Sequence, residues 1–233
     1  MKRLMIQRNK NLNVILMGMI ATVALGGCAS ESHRSIVPET VQAASKTYVG
    51  TKTLIAVGKF DNRSSYMRGL FSDGVDRLGS QAKTVLMTDL DQTGHFRVLD
   101  RDNMSEISQE AEFKKKAQNV KGADYVITGD VTEFGRKEVG DTQLFGLLGH
   151  GKKQVAYAKV SLNIVDTNTS EVVHSVQGGG EYALSNREII GFGSSASYDS
   201  TLNGKVLDLA IREAVNRLTA DMDSGAWSTN SKN

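Results

Sequence analysis

One thiol, four imidazoles and scattered carboxylates are the groups this chain offers to chemistry. Cys28 is the only cysteine in 233 residues, so no intrachain disulfide can form. The histidines, His33, His95, His150 and His174, show none of the spacings to another His, Cys or carboxylate that hold a metal. They read as solvated or structural imidazoles. Gly191, Gly193 and Ala196 spell G-x-G-x-x-A, but a dinucleotide site needs a helix opening at the third position, and the following SSASYDSTLNG is too polar and turn-rich to start one. Gly149, Gly151 and Lys152 lack the spacing of a phosphate loop, and no G-x-S-x-G elbow is present. The acid pairs Asp89 with Asp91 and Asp221 with Asp223 read as solvated helix residues. The expectation is a protein that is not an enzyme and carries no cofactor or metal.

Cys28 remains, and its surroundings say what the thiol is for. Lys2, Arg3, Arg8 and Lys10 precede an uncharged apolar run, Val14 to Leu25. That run is shorter than the roughly 20 residues a helix needs to cross a bilayer but suits the apolar part of an export signal. Residues 1–27 therefore read as a removable signal. Its end, Leu25-Gly26-Gly27-Cys28, resembles the lipobox of bacterial lipoproteins, although Gly26 is not the favoured residue there. The resemblance implies that Cys28 is alkylated by a diacylglycerol, that the chain is cut just before it, and that the new amino terminus is acylated. Other readings of a lone exported thiol are a buried spare thiol and an intermolecular disulfide. Ala29, in place of the Asp that retains many such lipoproteins in the inner membrane, points to the outer membrane, facing the periplasm.

Removing the signal takes away four positive charges and no negative one, turning a formal +2 into −2. No basic stripe or aromatic interleaving suits nucleic acid. Residues 28–52 read as the lipidated cysteine and a flexible polar tether, 53–227 as the folded domain and 228–233 as a polar tail.

Within the domain, Thr53–Phe60 reads as a strand and residues 80–92 as a helix with Ala82, Val85, Leu86 and Leu90 on one face and Gly94 as its stop. A strand over His95–Asp100 and a helix from Asp102 or Asn103, with Met104, Ile107 and Ala111 as apolar positions, come next. The near-continuous apolar run in ADYVITGDVTEF predicts a strand buried on both faces. Strands over Gln154–Val165 and Glu171–Val176 and a closing helix from Asn203 or Gly204 complete the order. In that helix Leu207, Ile211, Ala214, Val215, Leu218 and Met222 form one stripe. The class is α/β, with helices packed on a mixed β-sheet. Two glycine-rich insertions, 136–153 and 178–202, interrupt the pattern without a period of their own, and the function is expected there.

These segments together resemble the curli production assembly and transport lipoproteins, the CsgG/HfaB family. The resemblance rests on the lipobox, LIAVGKFDN (Leu54–Asn62), AKTVLMTDL with GHFRVLDRDNMSEI (Ala82–Leu90, Gly94–Ile107), GADYVITGDVTEFG (Gly122–Gly135), VSLNIVDTNTSEVVHSV (Val160–Val176) and the ending DSGAW (Asp223–Trp227). It implies an anticodon-binding-like periplasmic domain from which two β-hairpins extend, closing with those of identical subunits into an outer-membrane barrel. The insertions fall at the hairpin positions. It also implies a constriction from a loop near the first helix, here about Arg63–Gly79 with Tyr66 and Phe71, where no residue-by-residue correspondence holds. Both insertions carry charges that fit a lipid-facing strand poorly, Asp141 in one and Arg187 beside Glu188 in the other.

Two functions follow as expectations. The first is a ring-forming channel subunit, a homo-oligomer in the secretion or assembly of extracellular fibre or adhesin subunits, held to the outer membrane by acyl chains on Cys28. The alternative is a tethered periplasm-facing module that activates peptidoglycan synthases without forming a pore.

Overall fold

A computed structural model describes residues 39–66, 76–142, 150–187 and 201–229. The chain runs β1 (Thr53–Asn62), α1 (Arg77–Gln92), β2 (Phe96–Leu99), α2 (Met104–Phe113), β3 (Tyr125–Thr142), β4 (His150–Asp166), β5 (Val172–Arg187) and α3 (Thr201–Asp223), after a short 3-10 turn at Gln42–Ser45. The five strands form one mixed sheet in the order β2-β1-β3-β4-β5. β1 is parallel to both β2 and β3, whereas β3–β4 and β4–β5 are antiparallel.

The helical layer follows from two stripes. In α1, Leu78, Ala82, Leu86 and Leu90 recur every four residues and are buried. In α3, Leu207, Ile211, Ala214, Val215 and Leu218 are each 0% exposed, as the 3.6-residue period requires of one face laid on a sheet. Both helices pack on one face of the sheet, meeting Ile55, Ile127, Leu162 and Ile164 in a single core.

The covered face explains a difference from the sequence reading of β3. Tyr125, Ile127 and Val131 are buried, but Val126, Thr128 and Asp130 between them are only half-buried. Among the described residues no helix covers that second face. α2 differs as well, since none of its residues is buried and Ile107 and Phe113 stand 42% and 70% exposed.

The two insertions are largely strand in the described residues. Residues 136–142 pair with 150–156, and 178–187 pair with 151–160. Segments 143–149 and 188–200 lie outside the described residues. Glycine-rich, charged sequence hides a strand here because ladder bonds between backbones need no apolar period.

Gly178 and Gly180 have a packing role. A methyl group at Gly178 would run into the backbone of Ala210 and Ala214, and one at Gly180 would meet Leu209 and Val206. Bare glycine lets α3 lie directly on β5. No helix among the described residues is long and apolar enough to cross a membrane.

Candidate functional site: a strand arm, a pinched loop and a clamp

β1 ends where Asn62 pairs with Val131. Beyond that rung β3, β4 and β5 continue alone as a three-stranded arm. From Glu133 to Thr142 it reaches roughly 30 Å at the usual rise per residue. By the alternation of the pleat, the positions of Lys137, Asp141, Lys153 and Arg187 share one face, and those of Glu138 and Lys152 share the other. Neither face of the described rungs is free of charge.

The base of the arm is tied to the loop that precedes α1. The Tyr66 ring packs 4.8 Å from Phe134 on β3. Its hydroxyl accepts from Asn203 Nδ2 at 3.0 Å, while Asn203 Oδ1 accepts from Arg136 Nε at 2.9 Å. Loop, arm and the first turn of α3 thus meet through one polar chain. Asp76 closes the loop's neck. Its Oδ1 accepts from Gly79 N at 2.8 Å as the N-cap of α1, and its Oδ2 accepts from Asn62 N at 2.6 Å. One carboxylate therefore binds the two ends of the loop together, a role readable in sequence only as an N-cap three residues before Gly79. Tyr66 lies at this neck. Phe71, the other aromatic residue of the expected constriction region, lies outside the described residues.

A second feature links the start of the domain to α3. Val41, in the segment read as tether, is 1% exposed within the core, and Gln42 N donates to Asn216 Oδ1 at 2.9 Å. Arg212 Nη2 lies 2.9 Å from Glu39 Oε2 and 3.6 Å from Asp208 Oδ2. Asp89 approaches from α1 and is 5% exposed, so it is not the solvated helix residue the sequence suggested. Its Oδ2 and Arg212 Nη1 are buried without hydrogen-bond partners. Burial, then the nearby Asp208 carboxylate, push the Asp89 pKa up from 3.8 to about 7, against the pull of Arg212. Burial also raises Asp208.

Between about pH 4 and 7 folded Asp89 holds a proton that the unfolded chain has released, so stability falls as pH rises through that window. Asp89→Asn is expected to stabilise the fold on the order of 2 kcal/mol at pH 8, allowing for the buried amide, and to change little at pH 4. Urea unfolding at both pH values checks this; an equal change at both would contradict it.

The C-terminal end of α3 explains two of the histidines. His95 is 3% exposed, with Nδ1 3.0 Å from Thr93 O and Nε2 2.9 Å from Asp223 Oδ1. Both ring nitrogens are engaged, leaving neither as a general base. His174 Nε2 lies 2.9 Å from Asp221 Oδ2, and its ring stacks on Trp227 at 5.5 Å. Asp221 and Asp223 therefore fasten α3 to β5 and to the turn before β2, and are not simply solvated. His150 opens β4, and Gly151 and Lys152 are strand positions of the arm. His33, Gly149, Gly191, Gly193, Ala196 and Cys28 lie outside the described residues.

A polar cleft of about 780 Å³ opens at the opposite end of the sheet, beside Asp124 and Asp166. Both carboxylates already accept from backbone: Asp124 from Leu54 N, and Asp166 from the amides of Asn168 and Thr169. No group of three or more potential metal ligands occurs among the described residues. What the arrangement offers is a strand arm, a loop held at its base, and a strap locked to the helical layer.

A family model described as "Curli production assembly/transport component CsgG" matches residues 37–233. A candidate lipoprotein of Neisseria meningitidis serogroup B, NMB1126/NMB1164, is 62% identical over 221 residues, covering 95% of this chain and 99% of that one. Among solved structures, the PelC dodecamer from Paraburkholderia phytofirmans is 15% identical, with a TM-score of 0.37 over 77% of this chain and 93% of that one. Lipoprotein GNA1162 from Neisseria meningitidis is 17% identical, with a TM-score of 0.34 over 76% and 99% of the two chains. Structural likenesses this distant carry nothing about function.

Proposed function

The chain belongs to the curli production assembly/transport component family, CsgG, and from that premise we propose that it works as a self-associating assembly lipoprotein on the periplasmic face of the outer membrane. Acyl chains on Cys28 hold it there after residues 1–27 are removed. The domain from residue 53 onward supplies the contacts through which extracellular or envelope subunits are assembled or exported. This reading assigns no catalysis and no cofactor.

The observation that sets this reading apart from a channel subunit is that register puts charged residue types at positions on both faces of the arm. A strand in a lipid-facing barrel needs roughly 9 to 11 residues with one apolar face. The connection between β3 and β4, residues 143–149, is too short to supply two such strands by itself. The rungs 137–142 and 150–155 would have to enter the bilayer with it. A lysine or arginine facing lipid at the midplane costs roughly 2 to 4 kcal/mol, and by backbone register the positions of Lys137, Lys153 and Arg187 fall on one face and those of Glu138 and Lys152 on the other. This favours an arm working in water or among headgroups over one forming the wall of a pore.

The test is reconstitution of the lipidated full-length protein in planar bilayers, alongside light scattering of the detergent-solubilised form. The expected result is an oligomer without discrete conductance steps. Stable unitary conductance would overturn the proposal in favour of a channel subunit. In-cell crosslinking that recovers only a peptidoglycan synthase would overturn it in favour of a wall-synthesis activator.

A further inference from the structure

The segment from Glu39 to Lys52 is held against the domain by few contacts. Among its residues only Val41 is buried; Ala43 and Tyr48 are half-buried, and the rest are exposed. It adds no strand to the sheet. The backbone bonds of its 3-10 turn, Ala44 N to Val41 O and Lys46 N to Ala43 O, are internal to it. What fastens it to α3 is the Val41 side chain in the core, the bond from Gln42 N to Asn216 Oδ1, and the ion pair of Glu39 with Arg212. Farther along, the Tyr48 ring lies 4.0 Å from that of His95.

These grips are weak against the length of chain they order. The Glu39 side chain is 80% exposed, and an ion pair with so solvated a partner contributes little. Every ordered residue, by contrast, loses backbone freedom whether or not it touches anything. The docked arrangement is not fully satisfied either, because Arg212 Nη1 stays buried without a hydrogen-bond partner. Withdrawing the strap uncovers the side of the guanidinium that Glu39 occupies, and water there replaces a protein contact at little cost. α3 differs, since Leu207, Ile211, Ala214, Val215 and Leu218 are each 0% exposed. Such a helix opens with the whole domain, whereas a strap on one buried side chain opens alone.

Its position gives that opening a consequence. Cys28 and Glu39 are 11 residue steps apart, so with the strap docked the chain between them spans at most about 40 Å. Released, the chain runs free to Thr53, where β1 begins, and the limit becomes about 90 Å. We infer that the strap Glu39–Ser45 is a releasable latch that sets how far the domain can stand from its lipid anchor. Docked, it keeps the domain close to the bilayer; released, it doubles the reach and leaves the sheet and helical layer unchanged. The inference rests on the acylation of Cys28 proposed above and gives the tether two lengths where the sequence suggested one.

Hydrogen exchange of the lipidated full-length protein, read by peptide mass, tests the latch. Peptides covering Gln42–Lys46 should exchange at least about 100-fold faster than those of α3. Exchange of strap and α3 at one common rate would overturn the latch, because the strap would then open only with global unfolding. Energy transfer tests the reach. A dye on Gln177→Cys, an exposed strand position, is paired with labelled headgroups in phosphatidylethanolamine–phosphatidylglycerol vesicles carrying the lipidated protein. Val41→Asp should speed exchange of the strap and lose most of the transfer seen in wild type. If it also speeds α3, Glu39→Gln with Gln42→Pro takes its place, removing the two polar grips and leaving the core side chain. A Gly/Ser insertion after Ser35 that doubles the length of 29–38 should lose transfer with strap exchange unchanged. Transfer kept in the strap variant but lost in the insertion variant would overturn the control of reach. A wild type whose intact mass shows no acyl groups would instead overturn the anchor, and the two-length tether with it, while the exchange rates still judge the latch.

Discussion

Gly178→Ala is expected to destabilise the domain by about 3 kcal/mol or more, lowering the Tm by roughly 6 to 12 °C for a domain of this size. The added methyl meets the backbone of α3 at Ala210 and Ala214, not the far end of a flexible side chain. Relief requires the whole helix to lift from β5. That movement would open the core around Ile211, Ala214 and Leu218, which are fully buried. Gly180→Ala should behave similarly, because its methyl meets Val206 O and Ala210 N, again backbone. Gly179→Ala is the internal control. Its methyl finds only Ala158 O and Lys159 Cγ, both at 3.8 Å, and should change the Tm little. Thermal unfolding of the three variants followed by circular dichroism checks the pattern. Equal effects at all three positions would mean that backbone flexibility, not helix approach, sets the requirement for glycine.

Cys28→Ser is expected to move nearly all of the protein out of the membrane fraction or to leave it as an uncleaved precursor. Each buried methylene of an acyl chain contributes roughly 0.8 kcal/mol, and stable anchoring takes two signals where one chain binds only marginally. Serine offers no thiol to alkylate, so every chain is lost together. Among the described residues no helix can replace the anchor by spanning the bilayer. Fractionation, with the intact mass of the wild-type protein, checks both halves of the prediction: a wild-type mass showing cleavage before Cys28 and added acyl groups, and a variant without them. A variant that still partitions as wild type would place the membrane grip elsewhere, with the strand arm as the first place to look.

The helical layer was legible in the sequence because its signal is local. Ala82, Leu86 and Leu90 in α1, and Leu207, Ile211, Val215 and Leu218 in α3, repeat at helical spacing and are buried as that spacing requires. The same method gave α2 an apolar face at Met104, Ile107 and Ala111, and a helix does form there. Periodicity could not say that none of this face is buried by the described residues. The arm was legible only through the family resemblance, which placed hairpins at the two insertions: its strands carry no apolar period, and 136–142 is held by backbone pairing with 150–156.

The candidate site divides along the same line. The lipobox-like stretch ending at Cys28 is contiguous, and contiguous patterns are what a sequence displays. The neck of the loop joins Asp76 to Asn62, 14 positions apart. The strap joins Glu39 to Arg212 and Gln42 to Asn216, and the second of these spans 174 positions. By itself, then, the sequence determined the order of the elements and the family, each written in neighbouring or periodic residues, and carries the pattern from which an export signal and an attachment thiol are proposed. The tertiary structure alone decided which face of the sheet is covered, which glycines admit a helix, and which carboxylate is buried beside Arg212. Those outcomes depend on desolvation and backbone approach between distant segments, and no local pattern encodes the distance between two surfaces that folding has yet to bring together.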